Sequence, residues 1–175
     1  MIRQKILFPA LIAALAFTVV QPVARAATYV TGTATATLNV TLTLQANCTI
    51  SATPLNFGTN GVLATALNQQ TNVAITCTNT TPYNVGLDAG TVVGSTVASR
   101  LMAGTTSGNT GTTVGFELYQ DAGRATVWGN TQGTNTVAGT GTGSAQTIPV
   151  YGQVPAQATP QPDTYQTTVT ATVYF

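Results

Sequence analysis

Residues 28–44, TYVTGTATATLNVTLTL, constrain the fold more than any other stretch of the chain. From Val30 onward every second residue is apolar or small: Val30, Gly32, Ala34, Ala36, Leu38, Val40, Leu42 and Leu44. Threonine or asparagine fills each place between them. A period of two marks a β-strand with one buried face. The ribbon is too long for a single strand. Seventeen residues at about 3.3 Å each would span roughly 55 Å, against about 17–20 Å for an ordinary strand. The expectation is two strands in tandem, the second belonging to the domain that follows and the first free to pair elsewhere.

The 175 residues accommodate one domain. Arg3 and Lys5, an apolar run over residues 6–20 and the exit Ala24-Arg25-Ala26 have the order of a secretory signal cleaved after Ala26. The expected plan is a signal peptide at residues 1–26, an N-terminal extension at 27–38 and a domain at 39–175. A membrane anchor fits less well, because the run is short and leaves through small residues. Without the leader, Arg100 and Arg124 face four acids, Asp88, Glu117, Asp121 and Asp163, a net charge of −2 with no lysine or histidine. No basic patch remains to neutralise phosphates, so no nucleic-acid partner is expected. Polarity comes instead from amides and threonines, 37 in the full sequence and 36 without the leader, which suit exposed strand faces. Such a surface is uncharged and β-rich, and it fits an assembled polymer better than a free monomer. Cys48 and Cys77 are expected to form one disulfide in an exported chain.

Along the chain, strand and turn signals alternate. Residues 48–52 form a short strand that ends at Pro54, and Asn60-Gly61 marks a turn. Faint helical spacing runs over 62–67. Residues 69–78 place Val73, Ile75 and Cys77 inward, and a strand from Pro82 does the same with Tyr83, Val85 and Leu87. Residues 100–102 suggest an edge piece. Residues 114–120 alternate Val114, Phe116, Leu118 and Gln120 against Gly115, Glu117 and Tyr119. Residues 131–144 are a Thr/Gly/Asn string expected to be a flexible loop. Residues 147–154 contain Pro149 and so suggest an edge or bulged strand. Residues 165–175 put Tyr165, Thr167, Val169, Ala171, Val173 and Phe175 on one face. Short strands at this spacing predict an all-β sandwich of the immunoglobulin type.

The sequence ends on that last strand, where such a sandwich usually continues into one more. The expected fold is therefore an incomplete immunoglobulin-like sandwich with an open edge and a groove lined by Val169, Ala171, Val173 and Phe175. A spare strand lies at the opposite end of the chain. Its Val30, Gly32, Ala34, Ala36 and Leu38 can fill the groove of a neighbouring copy by strand addition. The contact is head-to-tail, so it propagates into a filament.

Several short motifs resemble the spore coat protein U domain family, which includes major pilins of archaic chaperone–usher pili. They are Cys48-Thr49-Ile50-Ser51, Leu55-Asn56-Phe57-Gly58, Ile75-Thr76-Cys77, Leu87-Asp88-Ala89-Gly90, Arg100-Leu101-Met102 and Leu118-Tyr119-Gln120-Asp121-Ala122-Gly123-Arg124. Val127-Trp128-Gly129, Val150-Tyr151-Gly152 and the closing residues 165–175 complete the series. Asp163 and Thr167 depart from the pattern, Asp163 standing where the family usually has glycine. The opening 29–38 resembles the donor segment of these pilins. The resemblance implies a structural subunit of a cell-surface fimbria that supports attachment and biofilm formation. It also implies a periplasmic chaperone that lends the missing strand and an outer-membrane usher where subunits exchange it.

Catalysis is not expected. Without histidine there is no Ser–His or Cys–His nucleophile, and Asp88 and Asp121 each sit in Asp-Ala-Gly, a turn composition. No phosphate loop, dinucleotide fingerprint or calcium loop is present, so no cofactor or metal is expected. Trp128 with Tyr119 and Tyr151 offers a sugar platform, against which core packing is the simpler account. The alternatives are a tip adhesin, a glycan-binding coat protein and a small outer-membrane β-barrel. Few aromatics for two girdles and long Thr/Gly loops argue against the barrel. Tip subunits usually carry a further receptor-binding domain, for which the length leaves no room.

Overall fold

Strands carry the regular structure of the described residues, 31–175, in a computed structural model of the chain. The leader and Val30 lie outside the described residues. The chain divides into two units, Met1–Thr41 and Leu42–Phe175. Within the second, β1 (Cys48–Ala52), β2 (Leu67–Cys77), β3 (Pro82–Leu87), β4 (Arg100–Gly104) and β5 (Thr113–Tyr119) are followed by β6 (Val137–Thr140), β7 (Ala145–Val154), β8 (Tyr165–Gln166) and β9 (Ala171–Tyr174). They form two antiparallel sheets, a six-stranded one in the order β1-β2-β7-β5-β4-β8 and a three-stranded one in the order β6-β3-β9. Neither closes on itself as a barrel would. Val73 and Ile75 from β2, Val85 from β3, Phe116 and Leu118 from β5 and Val150 from β7 fill the space between. No helix occurs among the described residues, 62–67 included.

Cys48 and Cys77 are bonded and directly opposed in the β1–β2 ladder. The bond closes a separation of 29 residues, a loop for which the chain-entropy model gives about 3–4 kcal/mol. Replacing either cysteine by serine should lower the unfolding free energy by about that amount in urea denaturation. Thiol labelling should leave both cysteines of the native protein unmodified.

Four expectations change. The Thr/Gly string at 131–144 is not all loop: its middle is β6, paired to β3 from Pro82↔Thr140 to Val85↔Val137. Gly139 makes this possible, because a Cβ there would lie 2.4 Å from the Tyr83 ring. The strand containing Pro149 is not at the edge, since β7 sits between β2 and β5. Proline is tolerated because pairing with β5 stops at Tyr151, leaving β7 one neighbour at position 149. The last ribbon alternates in burial only as far as Thr170 and splits between sheets, β8 pairing with β4 and β9, half-buried throughout, with β3. Between them the backbone is held by the loop after β3: Asp88 Oδ1 accepts from Thr170 N at 2.9 Å, and Thr91 N donates to Thr167 Oγ1 at 3.2 Å. Finally, residues 39–44 do not add a strand to the domain. Residues 31–47 form no strand, and Leu38, Val40, Leu42 and Leu44 are 79–85% exposed.

A buried cation ties the sheets together. Arg100 is fully buried, pairs with Glu117, and donates to the carbonyls of Leu87 (2.9 Å), Asp88 (2.8 Å), Trp128 (2.6 Å) and Val97 (3.0 Å). Burial opposes both charges, lowering Arg100 and raising Glu117 from their ordinary pKa values, and each supports the other's charge. Trp128 is also fully buried and donates its Nε1 proton to Val85 O at 2.8 Å. It is core, not a sugar platform.

Candidate functional site

After β1 the chain turns off the sheet. Thr53 N still bonds Asn72 O at 3.0 Å, and Thr71 Oγ1 bonds Thr53 O at 2.8 Å; beyond Pro54 no ladder continues. Residues 55–63 then run along the sandwich as an irregular rim. Leu55 and Phe57 lie over Gly152 of β7, where a Cβ would come within 2.4 Å of Leu55 and 3.1 Å of Phe57. The rim is knitted by its own side chains, with Gly58 N donating to Asn56 Oδ1 (2.8 Å) and Asn60 Nδ2 to Phe57 O (2.8 Å). Its far end is fastened by Leu63 N to Thr159 Oγ1 at 2.8 Å and Gln157 N to Leu63 O at 3.0 Å.

The opposite rim is the last ribbon, residues 163–171. One of its edges is engaged by β4, by Asp88 and by β3. Among the described residues no backbone hydrogen bond joins the other edge to the rim at 53–63. The irregular segment at 53–63 and the free edge of the last ribbon therefore border a gap that no backbone hydrogen bond bridges. Its floor is the core: Val73, Leu87, Phe116 and Leu118 beneath a cavity of about 410 Å³, and Val114 and Val154 beneath one of about 630 Å³. Leu55, Phe57, Met102 and Tyr165 line both, so the two are one continuous groove. An apolar trough beside an unpaired edge can take an extended peptide, with main-chain bonds to that edge and alternate side chains pointing down.

Of the expected groove residues, Val169 and Ala171 line it. Val173 packs on the core opposite Val85 in the β3–β9 ladder. Phe175 is 58% exposed and lies outside the lining. Gly32, Ala34, Ala36 and Leu38 are exposed and unpaired. The rim residues Leu55 and Phe57 were not picked out as groove residues from the sequence. The available signal is their alternation about Asn56 just after Pro54, a span of three residues that is too short to read as a strand.

Asp163 anchors the second rim. It accepts from Asn109 Nδ2 (2.6 Å), Thr106 Oγ1 (2.7 Å) and the amides of Thr164 (2.7 Å) and Thr106 (3.1 Å). Donation from Asn109 and then Thr106 holds its carboxyl well below the usual carboxylate range. Asp88 moves the same way, its burial outweighed by amide donors from Thr170 and Gly90. A folded-state pKa below the unfolded value contributes stability that is whole above about pH 4 and lost as pH falls beneath it. Thermal unfolding should therefore drop between pH 6 and pH 2.5, and less steeply in Asp163→Asn.

The Spore Coat Protein U domain model matches residues 34–172. Protein U of Myxococcus xanthus is 33% identical over 155 residues, covering 82% of this chain and 86% of that protein. Among solved structures, a chain in the chaperone–tip adhesion subunit pre-assembly complex from the archaic chaperone-usher Csu pili of Acinetobacter baumannii is similar. It superposes with a TM-score of 0.55 at 25% identity over 76% of this chain. The match spans about 40% of that chain's length.

Proposed function

The chain belongs to the Spore Coat Protein U domain family, and from that premise we propose that it is a structural subunit of a chaperone–usher fimbria, joined head to tail by strand donation. The observation that carries this reading is a complementary pair within one chain. An apolar groove lies open beside an unpaired edge, and an alternating apolar ribbon ahead of β1 stands exposed. Each half is an aggregation hazard alone. Inserting the ribbon of one copy into the groove of the next removes both, and because donor and acceptor are different surfaces the contact repeats into a filament. The leader at residues 1–26 directs export, a periplasmic chaperone covers the groove in transit, and an outer-membrane usher exchanges chaperone for subunit at the cell surface. The role is structural, with no catalysis.

Carrying both halves favours a shaft position over the tip, since a terminal adhesin needs only one of them. Attachment and biofilm formation follow from the filament. Electron microscopy of cells with and without this chain tests the reading. Filaments should vanish on deletion and return with the wild-type chain. Unchanged filaments on the deletion cells would refute it.

A further inference from the structure

Resting on the strand-donation reading, we propose that the inserted segment is residues 38–44, with Leu38, Val40, Leu42 and Leu44 as the plugs, and not the small-residue stretch 30–36. All eight alternating positions share one face of the ribbon, but they are unequal in size. The groove offers about 410 Å³ at one end and about 630 Å³ at the other. Glycine and alanine side chains would fill less of that space than leucine and valine, and an apolar cavity left unfilled forfeits the contacts of its lining. Leucine and valine reach the floor. The second argument is what each register leaves outside. With 30–36 inserted, the four large side chains, 79–85% exposed in the free chain, would stay in water between subunits. With 38–44 inserted they are covered, and of the alternating face only Val30, Gly32, Ala34 and Ala36 remain outside.

The leash fits this register. Asn47 is fixed to Thr78 in both directions, N to Oγ1 at 3.1 Å and O from Thr78 N at 2.9 Å. Only Gln45 and Ala46 separate it from Leu44, a reach of about 10 Å at most for three steps of extended chain. The β1–β2 end of the donating copy then abuts the mouth of its partner's groove. The ligand of the groove is a second copy of this chain, held at close range.

A single-residue aspartate scan of the full chain decides the matter, because these positions are exposed in the chain's own fold and the free subunit should melt unchanged. Filament yield by electron microscopy and size exclusion should fall at least tenfold for Val40→Asp, Leu42→Asp and Leu44→Asp. Ala34→Asp and Ala36→Asp should have far smaller effects, and the outward-facing Thr41→Asp and Thr43→Asp should assemble. A synthetic peptide of residues 37–45, added to the non-assembling Leu42→Asp chain, should raise its melting temperature by several degrees, where a peptide of residues 29–36 should not. Equal or greater loss at 34 and 36, or stabilisation by the 29–36 peptide, overturns the register while leaving strand donation standing. Assembly by every variant, with neither peptide shifting the melt, sinks strand donation itself.

Discussion

A chain in which residues 31–45 are removed from the front and appended behind Phe175 through a flexible Gly/Ser linker is expected to be a soluble monomer. It should need no chaperone and form no filament. The appended ribbon meets its own groove at an effective concentration no neighbour can match. Burial of four large side chains is worth about 1.5–3 kcal/mol each in gross terms, and ordering the ribbon takes back a large part of it. A net gain of about 3 kcal/mol would raise the melting temperature by roughly 6–12 °C over the chain that merely lacks residues 31–45. Leu42→Asp in the rearranged chain should erase most of that gain. A rearranged chain no more stable than the deletion, or one that still polymerises, would contradict the proposal.

The second large effect lies away from the groove. Arg100→Leu should destabilise the domain by at least about 3–5 kcal/mol, because it strands the buried Glu117 carboxylate. Many buried ion pairs can be replaced by matched apolar residues at little cost, but here Arg100→Leu combined with Glu117→Leu should recover only part of the loss. The carbonyls of Leu87, Asp88, Trp128 and Val97 still lose their donor, at about 1–3 kcal/mol for each one left buried and unpaired. Urea denaturation of the two single variants and the double variant measures the coupling.

Period-two alternation located β2, β3 and β5 because each turns its large apolar residues to one face, even though β3 and β5 also bury Gly86 and Glu117 on the other. It failed where burial is supplied by something other than an apolar side chain. In β6 the contact is a missing Cβ at Gly139 beneath the Tyr83 ring, which reads in sequence as low complexity. The central place of β7 was hidden because Pro149 falls just past the end of β5, a matter of register between distant strands. The crossing of the last ribbon from one sheet to the other leaves the alternation of its sequence intact and so leaves no trace in the pattern. For the candidate site, one rim was legible through Val169 and Ala171, while the other depends on Leu55 and Phe57, which sit on irregular backbone. Uniform alternation over 30–44 names a face but not a register. The sequence therefore led to the stretch ending at Leu38, and the exposure of the larger residues after it moves the inferred plug toward β1.

The disulfide has a mechanical consequence. Tension along a filament of such subunits would enter each one through the leash ahead of Cys48, at the tip of an edge strand that could otherwise be peeled from β2 one hydrogen bond at a time. The covalent link at the first rung, Cys48 to Cys77, diverts the load into β2, whose long ladder with β7 runs from Leu67↔Val154 to Thr76↔Ala145. A pull that would unzip β1 must instead shear the longest ladder in the domain, many bonds at once.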